Sequence, residues 1–190
     1  MKLKKILDNL RFDNIISCTH KELEIIREIR NETNIRKNMR TEEVISIKDH
    51  MEWFKKLRSS KTNYFYLIKY NSEIVGGLGL NNYDKDLLTG EWAYYVSDKS
   101  KFLGLGASIE FKAIEYFFKS YELNNLFCYV LKHNLGVIKL HNKFGFQEIS
   151  FDEYFKNNSL NNEVLNAIYF ILNETNWTAV KKKIYNIYFL

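Results

Sequence analysis

Residues 91–109 read as a strand that passes through a short loop into Gly104-Leu105-Gly106 and then a helix. No feature constrains the fold of this chain more. A turn of this kind points consecutive backbone N–H groups at an anion, with the N-terminus of a helix behind them. A phosphate-bearing ligand is the natural occupant. The chain has 190 residues, eight glycines and no proline, so the ends of its elements fall to Gly, Asn, Asp and Ser.

Two common phosphate motifs do not fit. The third glycine of a dinucleotide fingerprint is replaced by Ile109, and no Gly-Lys-Ser/Thr closes the turn as in a P-loop. The formal net charge of +5 calls for a polyanionic partner to be considered, but Lys and Arg are scattered, and the one compact run is Lys181–Lys183. A solvated surface with one local phosphate site is the simpler reading, and a nucleic-acid partner is not expected. Cys18 and Cys128 form neither a metal-ligand spacing nor a disulfide framework, and four scattered histidines give no metal site. With no signal peptide or membrane span in view, a cytoplasmic protein is expected. A length of 190 residues suits a single domain, with its core over about residues 12–175 and a C-terminal tail at 176–190. The apolar end of that tail, Ile184 to Leu190, offers a surface for a homodimer.

The hydrophobic pattern predicts a first helix around Leu23–Ile29 that ends near Asn31 and an irregular stretch from Asn34 to Arg40. A helix capped by Ser46 and Asp49 carries Ile47, Met51, Phe54 and Leu57. Strands at 64–70 and 74–80 join through Asn71-Ser72, and a polar turn leads to a third strand at 91–96, forming an antiparallel meander. A helix follows Gly106, then a strand at 125–131 and a helix N-capped by Asn134 that stops at Gly145. Two last strands, 146–151 and 164–172, are joined by a polar loop around Asn157–Asn162. The fold class is α/β (α+β), with helices set into a mostly antiparallel, mixed sheet.

The run Lys101-Phe102-Leu103-Gly104-Leu105-Gly106 resembles the pyrophosphate loop of the Gcn5-related N-acetyltransferases (GNAT), with Lys101 where Arg or Gln is usual. Thirty residues on, Asn134 to Phe146 is similar to the next segment of that family. Asn134, Gly145 and Phe146 match, whereas Val137 stands for a small residue and His141 for a tyrosine. The resemblance implies a central sheet splayed between the fourth and fifth strands and flanked by helices, with acetyl-CoA bound in the gap and no metal. The N–H groups from Leu103 to Ala107 would hold the pyrophosphate, with Lys101, Tyr95 and Asn134 beside the cofactor. A free N–H near Val96 would stabilise the oxyanion, a donor worth about 3 kcal/mol in the transition state.

In the family, the tyrosine at the position of His141 usually protonates the departing thiolate. A histidine there either does so as imidazolium or packs against the cofactor. Glu91 is the natural general base, sharing a strand face with Ala93 and Tyr95, and His50 is the other candidate. Upstream, Arg30-Asn31, Met39 and His50-x-x-Trp53 resemble the subgroup that serves pseudaminic acid biosynthesis and flagellin glycosylation. Its acceptor is the 4-amino group of a UDP-linked amino-deoxy sugar. The resemblance then places Arg30 on the nucleotide, Met39 and His50 at the sugar, Trp53 against uracil and Tyr95 on the sugar. Taken singly, each also has an ordinary structural role, such as Arg30 favouring a helix C-terminus. Other amines on the same scaffold stay open: a ribosomal-protein N-terminus, a polyamine or an aminoglycoside. So does a CoA-binding module without catalysis.

Overall fold

The computed structural model describes residues 2–158 and 163–190. Seven strands form one sheet in the order β1-β2-β3-β4-β5-β7-β6. They are β1 (Leu10–Asn14), β2 (Tyr64–Tyr70), β3 (Glu73–Asp84), β4 (Thr89–Val96), β5 (Asn125–Leu131), β6 (Gln147–Ile149) and β7 (Ala167–Asn173). The helices are α1 (Lys2–Asn9), α2 (His20–Arg30), α3 (Thr33–Arg36), α4 (Ile47–Ser59), α5 (Leu105–Ser120), α6 (Leu135–Lys143), α7 (Phe151–Asn158) and α8 (Glu174–Phe189). Every pairing is antiparallel except β4 with β5.

The two-residue period of the strands sorts side chains between the two faces. Tyr66 and Ile68 join Trp92, Ile109, Phe117, Leu126 and Phe170 in the larger core, whereas Leu67 turns the other way onto Ile26, Phe54 and Leu57. A third cluster, Phe127, Tyr154 and Tyr169, lies beside β5 and β7. The β2–β3 turn has positive φ at both Asn71 and Ser72, the backbone that a two-residue hairpin with right-handed strand twist requires. Helix α2 begins with a capping box between Thr19 and Glu22, and α4 with Ser46 accepting from the Asp49 N–H.

Four expectations need correction. First, the core does not stop at 12 and 175: Ile6 and Leu10 at one end and Trp177, Ile184 and Phe189 at the other are buried in it. Leu3, Ile6 and Leu10 recur at helical spacing among lysines, enough apolar surface to dock a short helix. Helix α8 therefore turns Ile184 and Phe189 inward, leaving Ile187 and Leu190 exposed. Second, residues 33–36 form a helical turn within the stretch expected to be irregular. Third, β3 runs on to Asp84 through an irregular register beyond Asn81, where Asn82 has φ +51. Fourth, the stretch expected as a strand over 146–151 pairs only at 147–149, and α7 follows because Phe151 and Tyr154 bury one helical face. Strand β7 starts at Ala167, after the positive φ of Asn166, and Val164 instead exchanges hydrogen bonds with the Tyr169 hydroxyl. Of the expected polar loop, residues 159–162 lie outside the described residues.

Candidate active site

Strands β4 and β5 pair only at Thr89, Gly90 and Glu91, opposite Asn125, Leu126 and Phe127. Beyond Glu91 they part, and a cleft of about 410 Å³ opens between them. The Ser97 N–H donates to the Val75 carbonyl on β3 at 2.8 Å. Strand alternation then directs the N–H groups of Val96 and Tyr94 to the opposite side, into the gap that β5 has left.

At the mouth of the cleft, Gly104 has φ +90 and occupies the N-cap position of α5. A side chain there would meet both left-handed strain and the Leu3 side chain 1.9 Å away. Ser108 N–H begins the helical ladder by donating to the Gly104 carbonyl, so Gly106 and Ala107 carry N–H groups with no acceptor inside the helix. The Leu105 N–H differs from expectation in being taken by the Phe102 carbonyl at 3.2 Å, because the chain closes a tight turn before the helix. The Leu103 side chain points to solvent, 93% exposed. Lys101 reaches the loop but pairs with Asp98, which also accepts from Asn34 at 2.7 Å. Asn134 holds the N-cap position of α6 without a capping hydrogen bond from its side chain, since φ −82 and ψ 60 depart from the extended capping geometry. It lines the cleft instead.

His141 and Glu91 both line this cleft. His141 is buried, and its Nδ1 lies 2.8 Å from Glu110 Oε1. Burial alone would drive the imidazole neutral, but the adjacent Glu110 carboxylate overrides it and raises the histidine above its ordinary range. Glu91 is 8% exposed and accepts a hydrogen bond from the Tyr154 hydroxyl at 2.6 Å. Desolvation raises its pKa, opposed by that hydrogen bond and by Arg40. Its strand neighbours Ala93 and Tyr95 face the same cleft.

A second cavity, of about 650 Å³, adjoins the first and shares Met39, Asn81, Ala93 and Tyr95 with it. It brings together Arg30, Met39, His50, Trp53 and Tyr95, residues spread over 66 positions of sequence. His50 stacks on Trp53 with ring centroids 5.0 Å apart. Burial, aided by the Arg27 charge, lowers its pKa to about 4, so the ring is neutral at pH 7. Tyr95 is pushed above the ordinary tyrosine range by burial, with Arg30 opposing, and stays a phenol. Arg30 Nη1 is buried with no hydrogen-bond partner among the described residues. Its neighbour Asn31, in contrast, clamps the chain by accepting from Ile45 N–H and donating to Ile45 carbonyl.

Sequence reasoning missed several participants. Glu110 was legible as one carboxylate at helical spacing between Ala107, Ala113 and Phe117, all buried. Tyr154 carried no such signal, because its helix was read as a loop. Glu32 accepts from Ser97 Oγ at 2.6 Å and Asp98 N–H at 2.7 Å, joining the Arg30–Asn34 segment to the end of β4.

A family model described as an acetyltransferase (GNAT) domain matches residues 15–176. The chain belongs to the GNAT acetyltransferase family. This acetyltransferase is accordingly an N-acetyltransferase that uses acetyl-CoA. Campylobacter jejuni N-acetyltransferase PseH in complex with acetyl coenzyme A is similar at a TM-score of 0.66 and 21% identity, over 87% of this chain and 99% of that one. Spermidine N-acetyltransferase from Vibrio cholerae, in complex with CoA and spermine, reaches a TM-score of 0.76 at 15% identity, over 90% of this chain and 99% of that one. Identities this low carry the fold and leave the acceptor to the site itself. Among curated proteins no sequence matches. No group of His, Cys, Asp and Glu that could hold a metal occurs among the described residues, and none of their helices is long and apolar enough to cross a membrane.

Proposed function

We propose that the acetyltransferase transfers acetyl from acetyl-CoA to the 4-amino group of a UDP-linked amino-deoxy sugar of pseudaminic acid biosynthesis, in the cytoplasm and ahead of flagellin or surface-glycan modification. The observation that carries this reading is the buried, unpartnered Nη1 of Arg30 in a cavity bordered by Trp53, Phe65, Tyr64 and Tyr95. A buried guanidinium nitrogen with no hydrogen-bond partner among the described residues is matched by a phosphate, and flat rings are matched by a base. None of the described lining residues of this cavity is acidic, which disfavours a polyamine or aminoglycoside. The polyamine reading keeps one supporting fact, the fold likeness to spermidine N-acetyltransferase.

In this reading the N–H groups of Gly106 and Ala107 hold the CoA pyrophosphate, with Lys101 exchanging Asp98 for it. The acceptor amine enters from the second cavity, and Glu91 takes its proton. Val96 N–H stabilises the oxyanion, and His141 protonates the leaving thiolate. A sugar amine is less basic than a lysine, which lowers the cost of deprotonation by about 1.4 kcal/mol for each pKa unit. Exposed Ile187 on α8 and Leu190 just beyond it would serve a homodimer, which light scattering tests.

Calorimetric titration of the acetyl-CoA-loaded enzyme with UDP and with spermidine tests the acceptor class. UDP is expected to bind and spermidine to give no saturable heat. Saturable spermidine binding with none for UDP refutes the reading.

A further inference from the structure

Glu110 is fully buried on the face of α5 that carries Ala107, Ala113 and Phe117. A carboxylate in such a place needs a partner, and an apolar side chain would pack there at no electrostatic cost. Its partner is His141, with Nδ1 at 2.8 Å from Oε1, while the Tyr94 hydroxyl lies 3.5 Å from Oε2. Around the rest of the His141 ring lie the Cys128 thiol, which hydrogen-bonds with it, and aromatic carbon, with Phe146, Trp92 and Phe170 centroids at 4.7, 5.6 and 5.7 Å.

Other titratable groups near the ring are neutral. Cys128 on β5 is a thiol because burial raises its pKa, and Tyr94 on β4 is a phenol for the same reason. Glu91 is turned to the other side of β4, where Tyr154 holds it. Glu110 is therefore the carboxylate that faces His141, and the contact with Cys128 adds to the stabilisation of the charged ring. With Nδ1 engaged by Glu110, Nε2 is the ring nitrogen left for the Cys128 thiol and for the cleft that both residues line.

We propose that Glu110 is a positioning residue: it fixes His141 as an imidazolium with Nε2–H turned to the cleft, so that a histidine can do the work of the missing tyrosine. This rests on the reading of His141 as the acid. In the step concerned, the acceptor nitrogen has already bonded to the acetyl carbon. The C–S bond breaks, its electron pair goes to sulfur, and the Nε2 proton completes the CoA thiol. The neutral imidazole is recharged by the proton that the amine released through Glu91 and solvent. Amine and thioester become amide and thiol, with no other reagent. A neutral imidazole in this apolar ring would have no proton to give from Nε2 once the carboxylate held the other N–H.

The chain has four histidines, so ¹⁵N-histidine NMR resolves each ring. In the wild type, His141 is expected to stay imidazolium from about pH 6 to 8, beyond the unperturbed value near 6.5. Glu110→Gln should return it to neutral at pH 7 and lower kcat about a hundredfold or more, as loss of a general acid does. The KM for acetyl-CoA should stay nearly unchanged, and Glu110→Asp should recover part of both signals. A neutral His141 in the wild-type spectrum overturns the proposal without any variant, so a poorly folding Glu110→Gln does not protect it. A shifted His141 titration with unchanged kcat also overturns it. If His141→Gln retains full kcat while the wild-type ring is charged, the acid reading fails, and with it the positioning role, though the ion pair stands.

Discussion

Arg30→Met separates a functional arginine from a structural one. Methionine keeps most of the stem that packs beside Trp53 and Tyr95 but removes a guanidinium whose Nη1 is buried and unpartnered. A buried polar group left unsatisfied costs about 1–3 kcal/mol, so its removal should stabilise the acceptor-free enzyme by about 1–2 kcal/mol after some packing is lost. For a chain of this length each kcal/mol moves Tm by about 2–4 °C, and the variant should melt higher by a few degrees. In the proposed acceptor complex the same guanidinium would make a charge-assisted hydrogen bond worth about 1.5–3 kcal/mol. Its loss should raise the acceptor KM roughly 10- to 150-fold, at tenfold for each 1.4 kcal/mol. The acetyl-CoA KM should not move. Differential scanning fluorimetry and steady-state thiol release read the two effects on one sample. A lower Tm with an unchanged acceptor KM refutes the reasoning, because it assigns Arg30 to packing.

Glu91→Gln should lower kcat by about 10²- to 10⁴-fold as a lost general base. Because burial raises the Glu91 pKa in the fold, its carboxyl favours folding at low pH and loses that contribution as pH climbs through the folded value. Glu91→Gln should therefore be more stable than wild type at neutral and higher pH, which urea titrations across pH can check. Tyr154→Phe removes a hydrogen bond that stabilises the charged carboxylate, so the ascending limb of the pH–kcat profile should move to higher pH. A profile that stays in place or moves down contradicts the base assignment. Gly104→Ala should cost about 1–2 kcal/mol of left-handed strain besides the clash with Leu3, and should weaken CoA binding by calorimetry. Adding Leu3→Ala relieves the clash and leaves the strain.

Much of this fold could be read because its apolar periods were undisturbed. The nearly continuous apolar and aromatic run Tyr64–Tyr70 and the helical spacing of Ile109, Ala113 and Phe117 each point to one element, and Gly104 and Gly145 mark backbone that few other residues adopt. The first and last helices were hidden because lysines and asparagines surround short apolar sets, Leu3-Ile6-Leu10 and Trp177-Ile184-Phe189. Only tertiary docking makes those sets core. The cofactor cleft was legible as an ordered pair of motifs. The five residues proposed for the acceptor line one cavity, but no local rule could show that Arg30 Nη1 would lie there without a partner among the described residues while Asn31 clamps Ile45. Pairs formed across elements, Glu110 with His141 and Glu91 with Tyr154, needed the packing of α5 on α6 and of α7 beside β4.

Thiol release from acetyl-CoA, measured side by side with a UDP-linked 4-amino sugar, spermidine and a ribosomal N-terminal peptide, addresses the central claim. Saturable release is expected with the sugar nucleotide and background rates with the other two. Turnover of spermidine or the peptide with none for the sugar nucleotide contradicts it.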